Sequence, residues 1–322
     1  MLVESVPNVS EGRRLDVVER LAWAAASVPG VHFLDRTSDA SHNRSVFTLA
    51  GELEAVTVGL ERLVAAALDE IDMRTQTGEH PRIGAVDVVP FVPLGDTTLA
   101  DCVGFARDFG RGVAERFGLP VYLYAAAATR PDRVRLADVR RGQYEGLVVE
   151  IATAGRVPDF GPARMHPRGG AIAVGARPFL VAWNINLEST DLGLAKRIAH
   201  RIRESSGGLP AVQAKGFWIA ELGCAQVSMN LLDVATTPIW RAWELVAEEA
   251  AADGVRLRES ELIGLTPLAA LLDVADHAGA PTGATDEERV LAAGAFVRLR
   301  DASPLQALEL RLRAASAENV GT

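Results

Sequence analysis

The run Gly78-Glu79-His80-Pro81-Arg82-Ile83-Gly84-Ala85-Val86-Asp87 sets one histidine between a glutamate and an arginine, in a Gly/Pro-broken turn. Pro81 biases His80 away from helical backbone, so the helix before it ends first. The apolar stretch 85–93 that follows reads as a strand. An imidazole on a short turn beside a strand suits a group that gives and takes protons near neutral pH. A capping or surface histidine is the plainer alternative, and the rest of the chain must decide between them.

Two further clusters carry polar chemistry. Asp39-Ala40-Ser41-His42-Asn43-Arg44-Ser45 lies between two strand-like runs. It reads either as hairpin chemistry or as an amide and guanidinium pair, Asn43 and Arg44, for a substrate carboxylate or amide. The stretch from Pro158 to Pro178 contains Gly161-Pro162-Ala163-Arg164-Met165-His166-Pro167-Arg168-Gly169-Gly170. It reads as a junction between lobes, either a plain linker or a loop whose bare amides approach a planar ligand or an anion. Neither a phosphate loop nor a strand-framed dinucleotide fingerprint occurs. Asn8-Val9-Ser10-Glu11-Gly12 opens the first helix, with Ser10 as its expected cap. His32, His200 and His277 sit within or beside apolar patterns and read as structural.

The elements that must position these groups follow from periodicity. The first half runs strand 2–6, helix 13–27, strand 31–35, polar loop 37–43, strand 44–50, helix 52–71 and strand 85–93. A helix 98–117, a strand 121–124 and a helical segment from 132 extend it. The second half repeats the order: strand 179–187, helix 191–206, strands 211–220 and 224–232, helix 238–252 and strand 255–262, with a further helix at 268–275. Two β-α-β-β-α-β units make an α+β chain with two split-βαβ lobes and a ligand cleft expected between them. The expected division is 1–178, 179–313 and a loose polar tail at 314–322.

Composition narrows the classes. The 322 residues carry 48% hydrophobic and 23% charged residues, enough for real cores. A net charge of −9 argues against nucleic acid as a partner. Among the basic residues only Lys196 and Lys215 are lysines; the rest are arginines, whose planar fork suits carboxylates. Cys102 and Cys224 have no metal-like spacing. The N-terminus lacks a signal-peptide pattern and no run is long enough to span a bilayer, so the expected location is cytoplasmic, with no membrane partner.

With these residues in view, the chain resembles the formiminotransferase family. The resemblance is carried by Val6-Pro7-Asn8-Val9-Ser10-Glu11-Gly12, His42-Asn43-Arg44-Ser45-Val46, the 78–87 run and Pro120-Val121-Tyr122-Leu123-Tyr124. It continues in Pro158-Asp159-Phe160-Gly161-Pro162, Gly175-Ala176-Arg177, Asn184-Ile185-Asn186-Leu187 and Gln226-Val227-Ser228-Met229-Asn230-Leu231-Leu232-Asp233, from about residue 2 to about residue 310. It implies two ferredoxin-like subdomains with folate between them, and transfer of the formimino group of N-formimino-L-glutamate to N5 of tetrahydrofolate. It makes His80 the catalytic residue and residues 161–170 the folate loop, although 164–168 are family-like in frame rather than residue for residue. It implies a homodimer. The chain ends before any cyclodeaminase domain, so 5-formiminotetrahydrofolate is expected to be passed on without release of ammonia, and whether a separate cyclodeaminase is the partner stays open.

The implied reaction needs a base and then an acid, which one histidine supplies in turn; it needs no metal and no covalent nucleophile. Arg44 and Arg82 are the candidates for the donor carboxylates, and Arg177 for the folate glutamyl tail. Formyl transfer between 5-formyltetrahydrofolate and glutamate, and a non-catalytic folate-binding protein, remain the alternatives.

Overall fold

A computed structural model describes the backbone of residues 1–320 and the side chains of residues 1–317. The chain is mixed α+β and divides into two compact units, Met1–Pro178 and Phe179–Thr322.

The first unit begins β1 (Leu2–Ser5) and β2 (Asn8–Val9). These are one strand interrupted at Pro7, which has no N–H for the ladder. Then come α1 (Leu15–Ala26), β3 (Val31–Asp39), β4 (Arg44–Glu52), α2 (Leu53–Glu70) and β5 (Val86–Pro93). The unit closes with α3 (Leu99–Phe117), β6 (Val121–Ala125), α4 (Leu136–Val139), α5 (Gln143–Glu150) and β7 (Ile172–Ala176). In the sheet β3 pairs β4, β4 pairs the interrupted first strand, and that strand pairs β5, all antiparallel. β7 then lies between β5 and β6, parallel to both.

Three local readings change. The junction expected at 158–178 contains β7, a buried inner strand of the first unit's sheet. Its apolar run is only five residues and is masked by flanking glycines, yet both faces are covered, as a parallel strand requires. β3 continues through the polar residues expected as loop, pairing as far as Asp39 with Arg44. As an edge strand it keeps polar side chains in water, so polarity there does not mark a loop. Finally, Ser10 does not cap α1: its hydroxyl donates to the Gly84 carbonyl. The buried Glu11 carboxylate instead fixes the turn ahead of the helix, accepting the Arg13 and Arg14 backbone N–H groups at 2.9 Å each.

The second unit runs β8 (Val181–Leu187), α6 (Leu192–Ile202), β9 (Val212–Ile219), β10 (Cys224–Leu231), α7 (Ile239–Ala252) and β11 (Leu257–Ile263). The strands form one antiparallel sheet in the order β11-β8-β10-β9. Trp183, Ile185, Val227 and Met229 build its apolar face. Three helices follow: α8 (Leu268–His277), α9 (Asp286–Phe296) and α10 (Leu308–Val320). α9 escaped the sequence reading although Thr285 and Glu288 form a reciprocal capping box, an explicit start signal. The tail expected to be loose is helical from 314 to 320, continuing α10. Ala307, Leu308 and Leu310 anchor that helix by burial. Residues 321–322 of that expectation lie outside the described residues. No helix among the described residues is long and apolar enough to cross a membrane.

Candidate functional site

The 78–87 run is held from three sides. Gly78 packs under the β3–β4 turn, where an added Cβ would stand 2.2 Å from the His42 carbonyl oxygen. At Gly84 an added Cβ would lie 1.8 Å from the Ala171 carbonyl oxygen. The Ala85 N–H donates to Gly169 O at 2.9 Å, and the Ala171 N–H to Ile83 O at 2.9 Å. These bonds tie the histidine run to the 161–170 loop, so the fold brings together two segments that sequence alone kept apart. Gly84→Ala is expected to cost about 1–3 kcal/mol by overpacking backbone against backbone. A urea titration checks it; an unchanged midpoint would refute the close approach.

His80 itself is half-buried. Its Nε2 lies 2.6 Å from Arg44 Nη1. A guanidinium only donates, so Nε2 accepts and the ring proton sits on Nδ1. Burial, then the nearby charges of Arg44, Arg140 and His42, push the His80 pKa from 6.5 down to about 2, against the raising effect of Pro81. His80 is therefore a neutral imidazole. Unfolded, it would take a proton below about pH 6.5, whereas folded it does not until about pH 2. The unfolded state binds more protons in that window, so this contribution to stability is complete above pH 6.5 and is lost as pH falls. A His80→Gln protein should accordingly lose less stability than the parent between neutral pH and pH 4, measured by urea midpoints. Equal losses would contradict the depressed pKa.

Arg44 opens β4, half-buried, and burial first and Arg140 second lower its pKa. Asn43, at the turn before it, has φ 50° and is buried. Its Oδ1 accepts the Gly12 N–H at 3.0 Å and its Nδ2 donates to Thr77 O at 2.8 Å. Asn43 therefore clamps the turn to the first-helix loop and to the segment before His80. His42 caps the same turn: its Nδ1 is 2.9 Å from Asp39 Oδ2, and its ring centroid lies 6.1 Å from that of His80.

Arg82 is differently engaged. It is 6% exposed and spends its donors on Gln76 Oε1, the Gln76 carbonyl, Gln143 Oε1 and both Glu145 oxygens. Every N–H of its fork is used, so it fastens α5 to the histidine run and leaves nothing for a substrate carboxylate. Arg177 follows β7 and donates to Pro178 O at 3.1 Å.

Two site residues lacked a signal that assigns them a role. Asp87, 2% exposed, accepts the Ile83 N–H on Oδ1 at 2.7 Å and the Arg140 guanidinium on Oδ2. Arg140 follows α4 and acts on His80, Arg44 and Tyr124 at once. Burial raises the Tyr124 hydroxyl pKa, opposed by Arg177 and Arg140. The result is a cationic shelf around a neutral imidazole, with one buried carboxylate beneath it.

The 161–170 loop is built rather than slack. Gly161 and Gly170 take φ 82° and 72°. His166 Nδ1 accepts the Gly169 N–H at 2.8 Å, and burial lowers the His166 pKa, with Arg168 adding to the fall. Met165 packs against the cluster of Ile83, Tyr122 and Tyr124, and Arg168 donates to the Asp69 carbonyl. Gly161, Ala163, Arg164, Pro167 and Arg168 are exposed, and Pro162 is half-buried.

Residues 2–177 match the formiminotransferase domain, N-terminal subdomain, and residues 182–290 match the formiminotransferase domain. The chain belongs to the formiminotransferase family. It is 48% identical over 278 residues to glutamate formimidoyltransferase of Thermoplasma acidophilum, covering 86% of this chain and 91% of that protein. It is 43% identical over 276 residues to glutamate formimidoyltransferase of Streptococcus pyogenes serotype M1, covering 86% and 92%. Against formimidoyltransferase-cyclodeaminase of Gallus gallus the identity is 44% over 281 residues, with 85% of this chain matched to 52% of that longer protein.

Within this formiminotransferase chain the second unit adds a polar network on the sheet face opposite Trp183. Gln226 Nε2 donates to Asn186 Oδ1 at 2.9 Å, and Asn186 Nδ2 to Glu259 Oε1 at 3.2 Å. Arg300 closes it on Glu261 at 2.5 Å. These amides belong to the two later signature runs, whose role the alternation of β8 and β10 now explains: apolar partners face the helices and amides the other side.

Proposed function

We propose that this protein transfers the formimino group of N-formimino-L-glutamate to N5 of tetrahydrofolate, releasing L-glutamate, with tetrahydrofolate as cosubstrate. The observation that carries the reading is the neutral imidazole of His80 with Nε2 as an acceptor beside Arg44, in a chain of this family.

N5 attacks the formimino carbon and a tetrahedral intermediate forms. His80 Nε2 takes the N5 proton and returns it to the glutamate nitrogen as the carbon–nitrogen bond breaks. The cations that depress His80 are counterweighted when an anionic donor enters, because a carboxylate beside Arg44 and Arg140 favours imidazolium. Arg44 is the group for that carboxylate. Arg177, beside Tyr124, is the group for the folate glutamyl tail, and the exposed residues of 161–170 supply the folate loop. Arg82 has no place among the substrate ligands. With this reading goes the family expectation of two ferredoxin-like halves holding folate; the strand order within each unit, with the fourth β-strand beside the first and the third beside the second, supports the halves.

A spectroscopic assay with tetrahydrofolate and N-formiminoglutamate, followed by acid conversion of product to the methenyl form, tests the proposal. A parallel assay with 5-formyltetrahydrofolate and glutamate distinguishes formyl transfer. Turnover only in the second assay would replace the formimino reading, and folate binding without turnover in either would leave a carrier.

A further inference from the structure

Arg44 sits on the one atom of His80 that chemistry needs. Its Nη1 occupies the lone pair of Nε2 at 2.6 Å. The lone pair that a base must use is thus committed in the free protein. An arginine cannot surrender its proton to make way, so Nε2 becomes a base only if the guanidinium finds another acceptor. Asp87 makes no hydrogen bond or ion pair with it; its oxygens accept from Ile83 and Arg140. Asp39 is bound to the His42 backbone and ring.

In an N-formimino amino acid the leaving nitrogen and the α-carboxylate sit on the same carbon. A carboxylate that takes Arg44 in a charge-assisted pair therefore brings its own α-nitrogen alongside the vacated Nε2. The γ-carboxylate, farther along the side chain, has no such coupling. We propose that Arg44 is a substrate-operated latch on His80, released by the α-carboxylate of the donor, which delivers the leaving nitrogen to the freed Nε2. This rests on the donor reading above and adds which carboxylate works the site. The latch ties base activation to donor binding, so tetrahydrofolate alone meets a blocked imidazole. The groups that face His80 and set its response are Arg44 from β4, Arg140 after α4, and His42 from the β3–β4 turn with Asp39 behind it.

The test is the nitrogen-15 spectrum of isotope-labelled histidine in the full chain at neutral pH, with the His80 signal assigned by its loss in His80→Gln. L-glutamate, L-glutamine and isoglutamine are added at saturation, and binding is measured separately by calorimetry. Glutamate and glutamine, which keep the α-carboxylate, should shift the Nε2 resonance, because that nitrogen loses its hydrogen bond from Arg44. Isoglutamine, whose α-carboxylate is an amide, should leave it in place. Arg44→Gln should show a shifted Nε2 resonance without ligand and gain nothing from glutamate. Equal shifts with isoglutamine, or glutamate bound with His80 unmoved, would overturn the latch while leaving the donor assignment intact. Absence of glutamate and glutamine binding would instead overturn the donor reading, and the latch with it. The ligand arms use the parent protein, so the outcome does not hang on folding of the variant.

Discussion

His80→Gln is expected to lower kcat by about 10²–10⁴, or roughly 3–5 kcal/mol of barrier. Affinity for tetrahydrofolate should stay within a few-fold. Glutamine keeps an acceptor near Arg44 and fills much of the imidazole volume, so the shelf of Arg44, Arg140 and Asp87 is retained. What it cannot do is hold a proton between N5 and the glutamate nitrogen. The loss therefore belongs in kcat rather than in binding. Single-turnover formation of 5-formiminotetrahydrofolate, with folate affinity measured by fluorescence, separates the two. A folded His80→Gln protein with near-normal turnover would remove His80 from the reaction and leave the shelf as a binding device.

His80 was legible because its signal is local: a histidine before proline, among glycines, ahead of a strand. Arg44 was legible for the same reason, as part of a turn. The structure adds what each glycine is for. Gly78 and Gly84 lie against backbone carbonyls from segments distant in sequence, a demand that spacing alone does not express. Arg82 shows the opposite case. Its type and position suggested a substrate ligand, but Glu145 and Gln143 arrive from α5 and consume its donors. Arg140 had no motif at all, because its importance comes from where α4 ends relative to β5. β7 was misread as junction since a short inner strand carries no alternation to count. The second unit's strand order emerged readily, from periods long enough to repeat. Its last two helices were missed where polar surface residues outnumber the few anchoring apolar ones.

Asp87→Asn is expected to destabilise the protein by about 3–5 kcal/mol, the range for breaking a buried ion pair by removing one partner. Asp87 is 3% and Arg140 13% exposed at the side chain, so the arginine charge left behind has little access to water. Arg140 Nε is already buried without a hydrogen-bond partner, which leaves the guanidinium still more dependent on that one carboxylate. Asparagine preserves an acceptor for the Ile83 N–H but turns an amide toward Arg140. The turn around Gly84 should survive while the electrostatics fail. The uncompensated charge also bears on Arg44, which Arg140 depresses and Asp87 supports, and on His80. Turnover at neutral pH should fall with stability, because the imidazole becomes a still weaker base. Arg140→Gln added to Asp87→Asn removes both charges together, and urea denaturation should then recover most of the loss. The coupling between the two substitutions, rather than either alone, measures the pair. A double variant no more stable than Asp87→Asn would show that the charge left on Arg140 is not what costs the stability. A double variant that regains stability but not turnover would place Arg140 in the chemistry, as the cation that keeps His80 neutral until an anionic donor arrives.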